Sequence, residues 1–237
     1  LSRAEVHVAL HQYERALSAL DEAKRLGGSD LEISSLRGAV RLAQGHPQEA
    51  TEIRSAALKT QRNHQTLSAL AAAHMAAGQY ERAELLFEEA VREHESNTPF
   101  SIAWNHFARG VMWAEHAGER ARGAAHYREA LRYLPSYSVA NVHLAEYEAE
   151  NGHLNQAILR LQRLKRSTDP EVLAKLAEFH ARAGRELKSE QYLTRAVNRY
   201  EELLSKFPEA FMDHGAEFFL RGGRAPERAF KLAESNL

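Results

Sequence analysis

The chain has 237 residues, no cysteine, and 31 Lys plus Arg against 32 Asp plus Glu, which gives a formal net charge of −1. Without cysteine it has no thiolate metal ligand, disulfide or cysteine nucleophile. The balanced charge disfavours a strongly electrostatic partner such as duplex DNA or an anionic membrane. The longest stretch without a charge, 63–80, is too weakly hydrophobic to span a bilayer, so membrane insertion is not expected.

A degenerate motif recurs along the whole chain. A small residue at a helix–helix turn is followed five residues later by Ala, four later by an aromatic residue or Leu, and three later by Ala. The clearest copy consists of Gly78, Ala83, Phe87 and Ala90. The other turn residues are predicted at His11, Gly45, Gly118, Gly152, Gly184 and near Gly222 or Gly223. A fixed spacing of this size indicates a stacked array of helical hairpins.

Between the turns, apolar residues follow the i, i+3, i+4, i+7 pattern of helices, and no proline falls inside a helix. We therefore predict an all-α domain of about fourteen helices in seven hairpins, at 1–28, 29–62, 63–96, 97–135, 136–168, 169–207 and 208–237. Two hairpins are irregular. The first helix of the fourth hairpin is expected to span 99–116, and the second helix of the sixth is expected to run from 187 to 207. Gly38, Gly110 and Gly123 lie on apolar stripes, which predicts close approach of helices.

The motif resembles the tetratricopeptide repeat (TPR), and the resemblance covers nearly the whole chain. The copy that begins at Gly78 matches closely, the copy after Gly118 has Gly123 in place of Ala, and the second copy has Arg54 in place of the aromatic residue. The resemblance implies a right-handed α-solenoid. It also implies a non-enzymatic scaffold that binds a peptide or helix in a concave groove lined by the first helix of each hairpin.

Inward-pointing positions on the first helices give the candidate partner-binding residues. They are Asn105, Met112, Glu115, His116, Val142, Glu146, Glu150, Glu178 and Arg182. The second half of this set is acidic, which favours a protein or peptide partner with basic and apolar groups. The Lys, Arg and Asn clamp with which some TPR scaffolds hold a chaperone tail is missing from these positions. The alternative is that the glutamates form an ordinary solvated helix face.

Two tryptophans and thirteen histidines add further hypotheses. Trp104 and Trp113 are nine residues apart and face opposite sides of a helix, so one is either a partner contact or packed between hairpins. His7 and His11 have metal-ligand spacing, but the supporting Glu of the metalloprotease motif is absent and no metal is expected. Protonation of all the histidines below about pH 6 would move the net charge from −1 towards +12, so pH-responsive binding is a further hypothesis.

No phosphate loop, nucleophile elbow or metalloprotease motif is present, so neither an enzyme nor a cofactor is expected. Two alternatives to a peptide-binding scaffold remain. The first is an RNA-binding solenoid, for which the densest basic run is Arg160, Arg163, Lys165 and Arg166. The second is self-association through the open first and last hairpins. The chain begins at Leu1, so we expect that an upstream segment was removed, and the compartment stays open between the cytoplasm and a periplasmic or secreted location.

Overall fold

The computed structural model describes residues 1–94, 98–164 and 168–235. Throughout these residues the secondary structure is helical, without strands, and the predicted all-α fold is confirmed. Two compact units are present, Leu1–Pro135 and Ser136–Leu237. The prediction that all seven hairpins form one domain stays a prediction.

The N-terminal unit consists of four helical hairpins. Their helices are α1 (Ser2–Ala9), α2 (Tyr13–Arg25), α3 (Asp30–Ala43), α4 (Pro47–Thr60), α5 (His64–Ala76), α6 (Tyr80–Arg92), α7 (Pro99–Val111) and α8 (Arg120–Tyr133). A π-helical turn, Met112–His116, continues α7 without a break. The predicted helix over 99–116 is therefore present, but its last five residues are wound more loosely than an α-helix.

The C-terminal unit consists of three hairpins. Their helices are α9 (Ser138–Glu150), α10 (Leu154–Gln162), α11 (Pro170–Arg182), α12 (Glu186–Lys206), α13 (Pro208–Arg221) and α14 (Pro226–Ser235). The predicted long helix is α12, and its ends lie within one residue of the expected positions. Proline occupies the first turn of α11 and α13, where its missing N–H removes no helical hydrogen bond.

The hairpin turns lie where the motif predicts them. His11 and the five glycines at 45, 78, 118, 152 and 184 have positive φ, which needs glycine or a tolerant residue. The seventh turn residue, expected near Gly222 or Gly223, is Arg224, with φ 53°. Five turns close with the hydrogen bond of a Schellman motif, in which the N–H after the turn residue reaches the carbonyl five residues back, as in Gln79 to His74 at 2.9 Å.

The turn at Gly118 differs because of the π turn. Here the N–H of Glu119 reaches six residues back, to the carbonyl of Trp113 at 2.6 Å. One extra residue is therefore accommodated between α7 and the turn. The same bond at the last hairpin, from Ala225 to Phe219 at 3.0 Å, also spans six residues.

The motif residues form the hairpin cores. Ala83, Phe87 and Ala90 are completely buried and pack α6 against its neighbours. The expected close approach at glycine is also present, because a Cβ on Gly110 would lie 2.3 Å from the ring of Tyr127. In the second hairpin Arg54 occupies the aromatic position and is buried.

Candidate partner-binding surface

The structure places two predicted site residues of the fourth hairpin in the core. Asn105 and Met112 have no exposed surface, so neither can contact a partner in this conformation. Met112 lies six residues before the turn glycine of its hairpin, as the predicted residues Glu146 and Glu178 do in theirs. The π turn adds a residue to that interval, so the predicted register is displaced by one position, and the half-buried residues on this side of α7 are Trp104, Phe107 and Val111.

Glu115 and His116 are exposed, as the sequence predicts, and both lie in the π turn. Glu115 accepts a hydrogen bond from the hydroxyl of Tyr127 at 3.2 Å. The ring of His116 stacks on Tyr80 with centroids 6.4 Å apart. Both candidates therefore contact a tyrosine of another helix, Tyr127 on α8 and Tyr80 on α6, and both stay accessible on the surface.

The two tryptophans pack between hairpins. Trp104 meets Phe87 edge to face with ring centroids 6.2 Å apart. Trp113 is 4 % exposed and donates from Nε1 to the carboxylate of Glu84 at 3.0 Å. The guanidinium of Arg122 covers the Trp113 ring at 3.3 Å, so the exposed-tryptophan hypothesis does not hold for Trp113.

A buried charge cluster lies beneath Trp113. Glu84 of α6 accepts two hydrogen bonds from Arg109 of α7, at 3.0 and 2.5 Å. Burial opposes ionisation of Glu84, but the bonds from Arg109 and Trp113 outweigh it and lower the pKa of this carboxyl. His126 of α8 lies 3.8 Å from Glu84, and its pKa is lowered to about 4 by burial and by the nearby Arg109 charge. The cluster joins three helices and is a stabilising contact between hairpins.

The predicted surface of the C-terminal unit begins on α9. Val142 is completely buried in the core with Ile158 and Leu176, so it is not a surface residue. The side of α9 that keeps solvent contact carries residues at i, i+4, i+7 and i+11. These are Val139, His143, Glu146 and Glu150. The sequence predicts Val142 in place of His143, but the side chain of Val142 points into the core.

The neighbouring helix α11 shows the same spacing. Its solvent-facing residues are Glu171, Lys175, Glu178 and Arg182. Lys175 Nζ lies 2.7 Å from Glu146 on α9 and 3.2 Å from Glu178 on its own helix. Arg182 donates to the carbonyl of Ala149 on α9 at 3.0 Å. The two helices are therefore joined by two cross-helix contacts, and together these residues form what we term the α9–α11 face.

The α9–α11 face is less acidic than the sequence predicts. His143 and Lys175, which are not among the predicted site residues, lie among the glutamates, and an i+4 step along each helix predicts both. Burial alone would lower the pKa of Lys175, but Glu146 and Glu178 outweigh it and raise the pKa. Burial raises the pKa of Glu171, because its carboxylate is partly withdrawn from water.

The histidines do not titrate as one group. Burial lowers the pKa of His64, His106 and His180 as well as that of His126, so each of the four takes up a proton only at a lower pH than free histidine does. His7, one of the metal candidates, has Nδ1 2.7 Å from Gln12 Oε1. Within the described ranges no group of three or more His, Asp or Glu residues could hold a metal ion.

Only Arg160 and Arg163 of the basic run in the RNA-binding hypothesis lie within the described residues. Arg160 forms a 2.6 Å ion pair with Glu148, which is 4 % exposed, so its charge is compensated by α9. Lys165 and Arg166 lie outside the described residues.

Comparison with known proteins gives structural matches alone. No protein-family model and no curated protein matches the sequence. The structure is similar to a tetratricopeptide repeat protein from Parabacteroides merdae, with a TM-score of 0.54 and 18% identity over 99% of this chain and 90% of that one. It is also similar to the apo form of RapI, with a TM-score of 0.61 and 18% identity over 98% and 93% of the two chains. The chain has the tetratricopeptide-repeat fold.

A third similar structure is PilW, a type IV pilus biogenesis factor, with a TM-score of 0.57 and 18% identity over 86% of this chain and 91% of that one. Within the TPR fold, the α9–α11 face belongs to first helices, and α10 and α12 are the corresponding second helices. Among the described residues no helix is both long and apolar enough to cross a membrane.

Proposed function

We propose that this protein is a non-enzymatic scaffold that binds a segment of a protein partner on its first helices. The observation that carries the proposal is the α9–α11 face. It offers charged groups of both signs, fixed in place by the Lys175–Glu146 pair and by the Arg182 bond to α9. Side chains that are already ordered lose little conformational entropy on binding, which favours a defined partner.

The chemistry of the face favours a partner segment with both basic and apolar groups. Glu146, Glu150, Glu171 and Glu178 face two cations, Lys175 and Arg182, so a negative excess remains. Val139 supplies an apolar edge. Of the predicted binding residues of the C-terminal unit, Glu146, Glu150, Glu178 and Arg182 keep solvent contact and remain in the proposal. Glu115 and His116 of the N-terminal unit also keep solvent contact and remain candidates there.

Site-specific photo-crosslinking in native cell extract tests the choice of surface. A photoreactive residue at Glu150 or Glu178 is expected to capture the same protein. Leu159 on α10 and Leu187 on α12 are matched controls, since both are exposed (58% and 76%) and belong to second helices. Capture from Leu159 or Leu187 alone would place the contact on the second helices and contradict the proposal.

The two alternatives predict other results. Self-association predicts a molar mass that rises with protein concentration in light scattering. RNA binding predicts a gel shift with mixed RNA at low salt that is lost as salt is raised. If the protein is monomeric at all concentrations and does not shift RNA, both alternatives are ruled out and the scaffold function is the remaining hypothesis.

A further inference from the structure

Among the described residues, Arg54 of α4 is a buried cation that has no counter-ion. The residue is 7 % exposed, and its Nη1 donates to the backbone carbonyl of Ala69 at 2.6 Å. Its Nε is fully buried and has no partner. Arg109, the other arginine buried to this degree, is neutralised by Glu84. An unpaired buried charge is unfavourable, so Arg54 calls for a physical reason.

The guanidinium lies between two first helices. It passes Gly38 of α3, where an added Cβ would lie 2.9 Å from Nε and 3.1 Å from Cγ. It ends at Ala69 of α5, and α3 and α5 contact each other directly. Arg54 belongs to a second helix, but its guanidinium therefore lies where the first helices α3 and α5 meet, which we term the α3–α5 seam.

The positions next to the Arg54 contacts carry small side chains. Ala39 follows Gly38 in the chain and Ala69 carries the carbonyl that Arg54 reaches, and both keep some solvent contact, as does Ala72. Among the described residues Nη2 has no hydrogen-bond partner, and unlike Nε it is not fully buried, so one donor nitrogen keeps some contact with solvent. Burial lowers the pKa of Arg54 to about 10, and the group is still charged at neutral pH.

We propose that Arg54 forms the floor of a carboxylate-binding subsite at the α3–α5 seam. The carboxylate belongs to a protein partner, so the inference rests on the proposed function. A single accessible donor between alanines suits a small monoanion, whereas a phosphate dianion would require several donors. The carboxylate comes either from a chain terminus or from an Asp or Glu side chain.

Titration with acetate tests the subsite without knowledge of the partner. The isotope-labelled full chain is titrated with sodium acetate against sodium chloride at constant ionic strength, and NMR follows Arg54 Nε–H and the amides of Gly38 and Ala69. Saturable shifts at all three are expected, with a dissociation constant on the order of millimolar. The absence of saturable shifts in the wild type would overturn the proposal, and this outcome does not depend on any variant folding.

Two arginine variants separate the site from net charge. Arg54→Met keeps the apolar stem and is expected to weaken acetate binding by roughly ten- to hundredfold. Arg62→Met removes an exposed arginine that pairs with Glu89, and it should bind acetate as the wild type does. Equal binding by the wild type and Arg54→Met would overturn the assignment. If Arg54→Met does not fold, Gly38→Ala, which crowds Nε, is the second variant and should weaken binding.

Three short peptides identify the source of the carboxylate. N-acetyl-trialanine with a free terminus represents a chain end, N-acetyl-Ala-Asp-Ala amide represents a side chain, and N-acetyl-trialanine amide is the neutral control. Binding by either acid, but not by the control, supports the subsite and names its ligand. Binding by the neutral peptide as tight as that by the acids would overturn it. If acetate does not bind but crosslinking at Glu150 succeeds, the subsite is ruled out and the proposed function stands. If acetate binds but crosslinking at Glu150 fails, the subsite stands and the proposed function is ruled out.

Discussion

Replacement of Gly123 by Ala tests the packing of the fourth hairpin. Comparison of the motif copies within the chain favours this change, because Ala83 occupies the corresponding motif position in the third hairpin. In the structure, however, a Cβ on Gly123 would lie 2.4 Å from Ala114 Cβ and 2.7 Å from the carbonyl oxygen of Gly110. Nonbonded carbon atoms normally approach to roughly 3.5 Å, so the helices would have to separate by about 1 Å.

The size of the effect follows from two opposing contributions. Ala is favoured over Gly in a helix by about 1 kcal/mol, whereas overpacking typically costs 1–3 kcal/mol or more. A contact with the backbone oxygen of Gly110 cannot be relieved by a rotamer change, so the upper part of that range applies. We expect Gly123→Ala to lower the free energy of unfolding by about 2 kcal/mol.

Urea unfolding followed by circular dichroism measures this difference. Gly222→Ala is the matched control, because its Cβ would meet no atom closer than 3.7 Å, and it should change stability by less than about 0.5 kcal/mol. Adding Ala114→Gly to Gly123→Ala removes only one of the close contacts, so partial recovery is expected. A Gly123→Ala protein as stable as the wild type would refute the close packing of α8 against α7 and the π turn at this position.

Two further changes probe electrostatics. Because the folded state lowers the pKa of His126 to about 4, stability is complete above the unfolded pKa near 6.5 and falls as the pH drops towards 4. Between pH 7 and 4.5 the wild type should lose about 2 kcal/mol more than His126→Gln in urea unfolding, and parallel pH profiles would contradict this. Lys175→Met leaves Glu146 and Glu178 without their shared cation and should lower stability by about 1 kcal/mol. It should also strengthen binding of a short lysine peptide roughly threefold, and unchanged binding would show that Glu146 is not accessible to ligands.

The fold could be predicted from the sequence because each hairpin repeats the same signals. Turn residues such as Gly78 recur at a nearly constant spacing and adopt the expected positive φ. Prolines such as Pro170 and Pro208 mark the starts of helices. These signals are local, so small errors in one hairpin do not spread to the next.

The candidate surface was harder to predict because it depends on the rotational phase of each helix. An i+3 step along α9 predicts Val142 at the surface, whereas in the structure the accessible side of α9 follows an i+4 step through His143. Lys175 was missed on α11 for the same reason. Its absence from the prediction changed the expected electrostatics, since it pairs with Glu146.

The fourth hairpin shows a second kind of error, with one physical origin. An extra residue rotates every earlier position of a helix by about 100° relative to the turn. Moving the predicted positions 105, 108, 112, 115 and 116 back by one gives residues that all keep some solvent contact, whereas Asn105 and Met112 have none. The long interval between Gly78 and Gly118 signalled added residues, but only the π turn shows where one of them lies. A docking hypothesis for this hairpin is therefore better built on Trp104, Phe107 and Val111, and its surface is more apolar than the sequence register predicts.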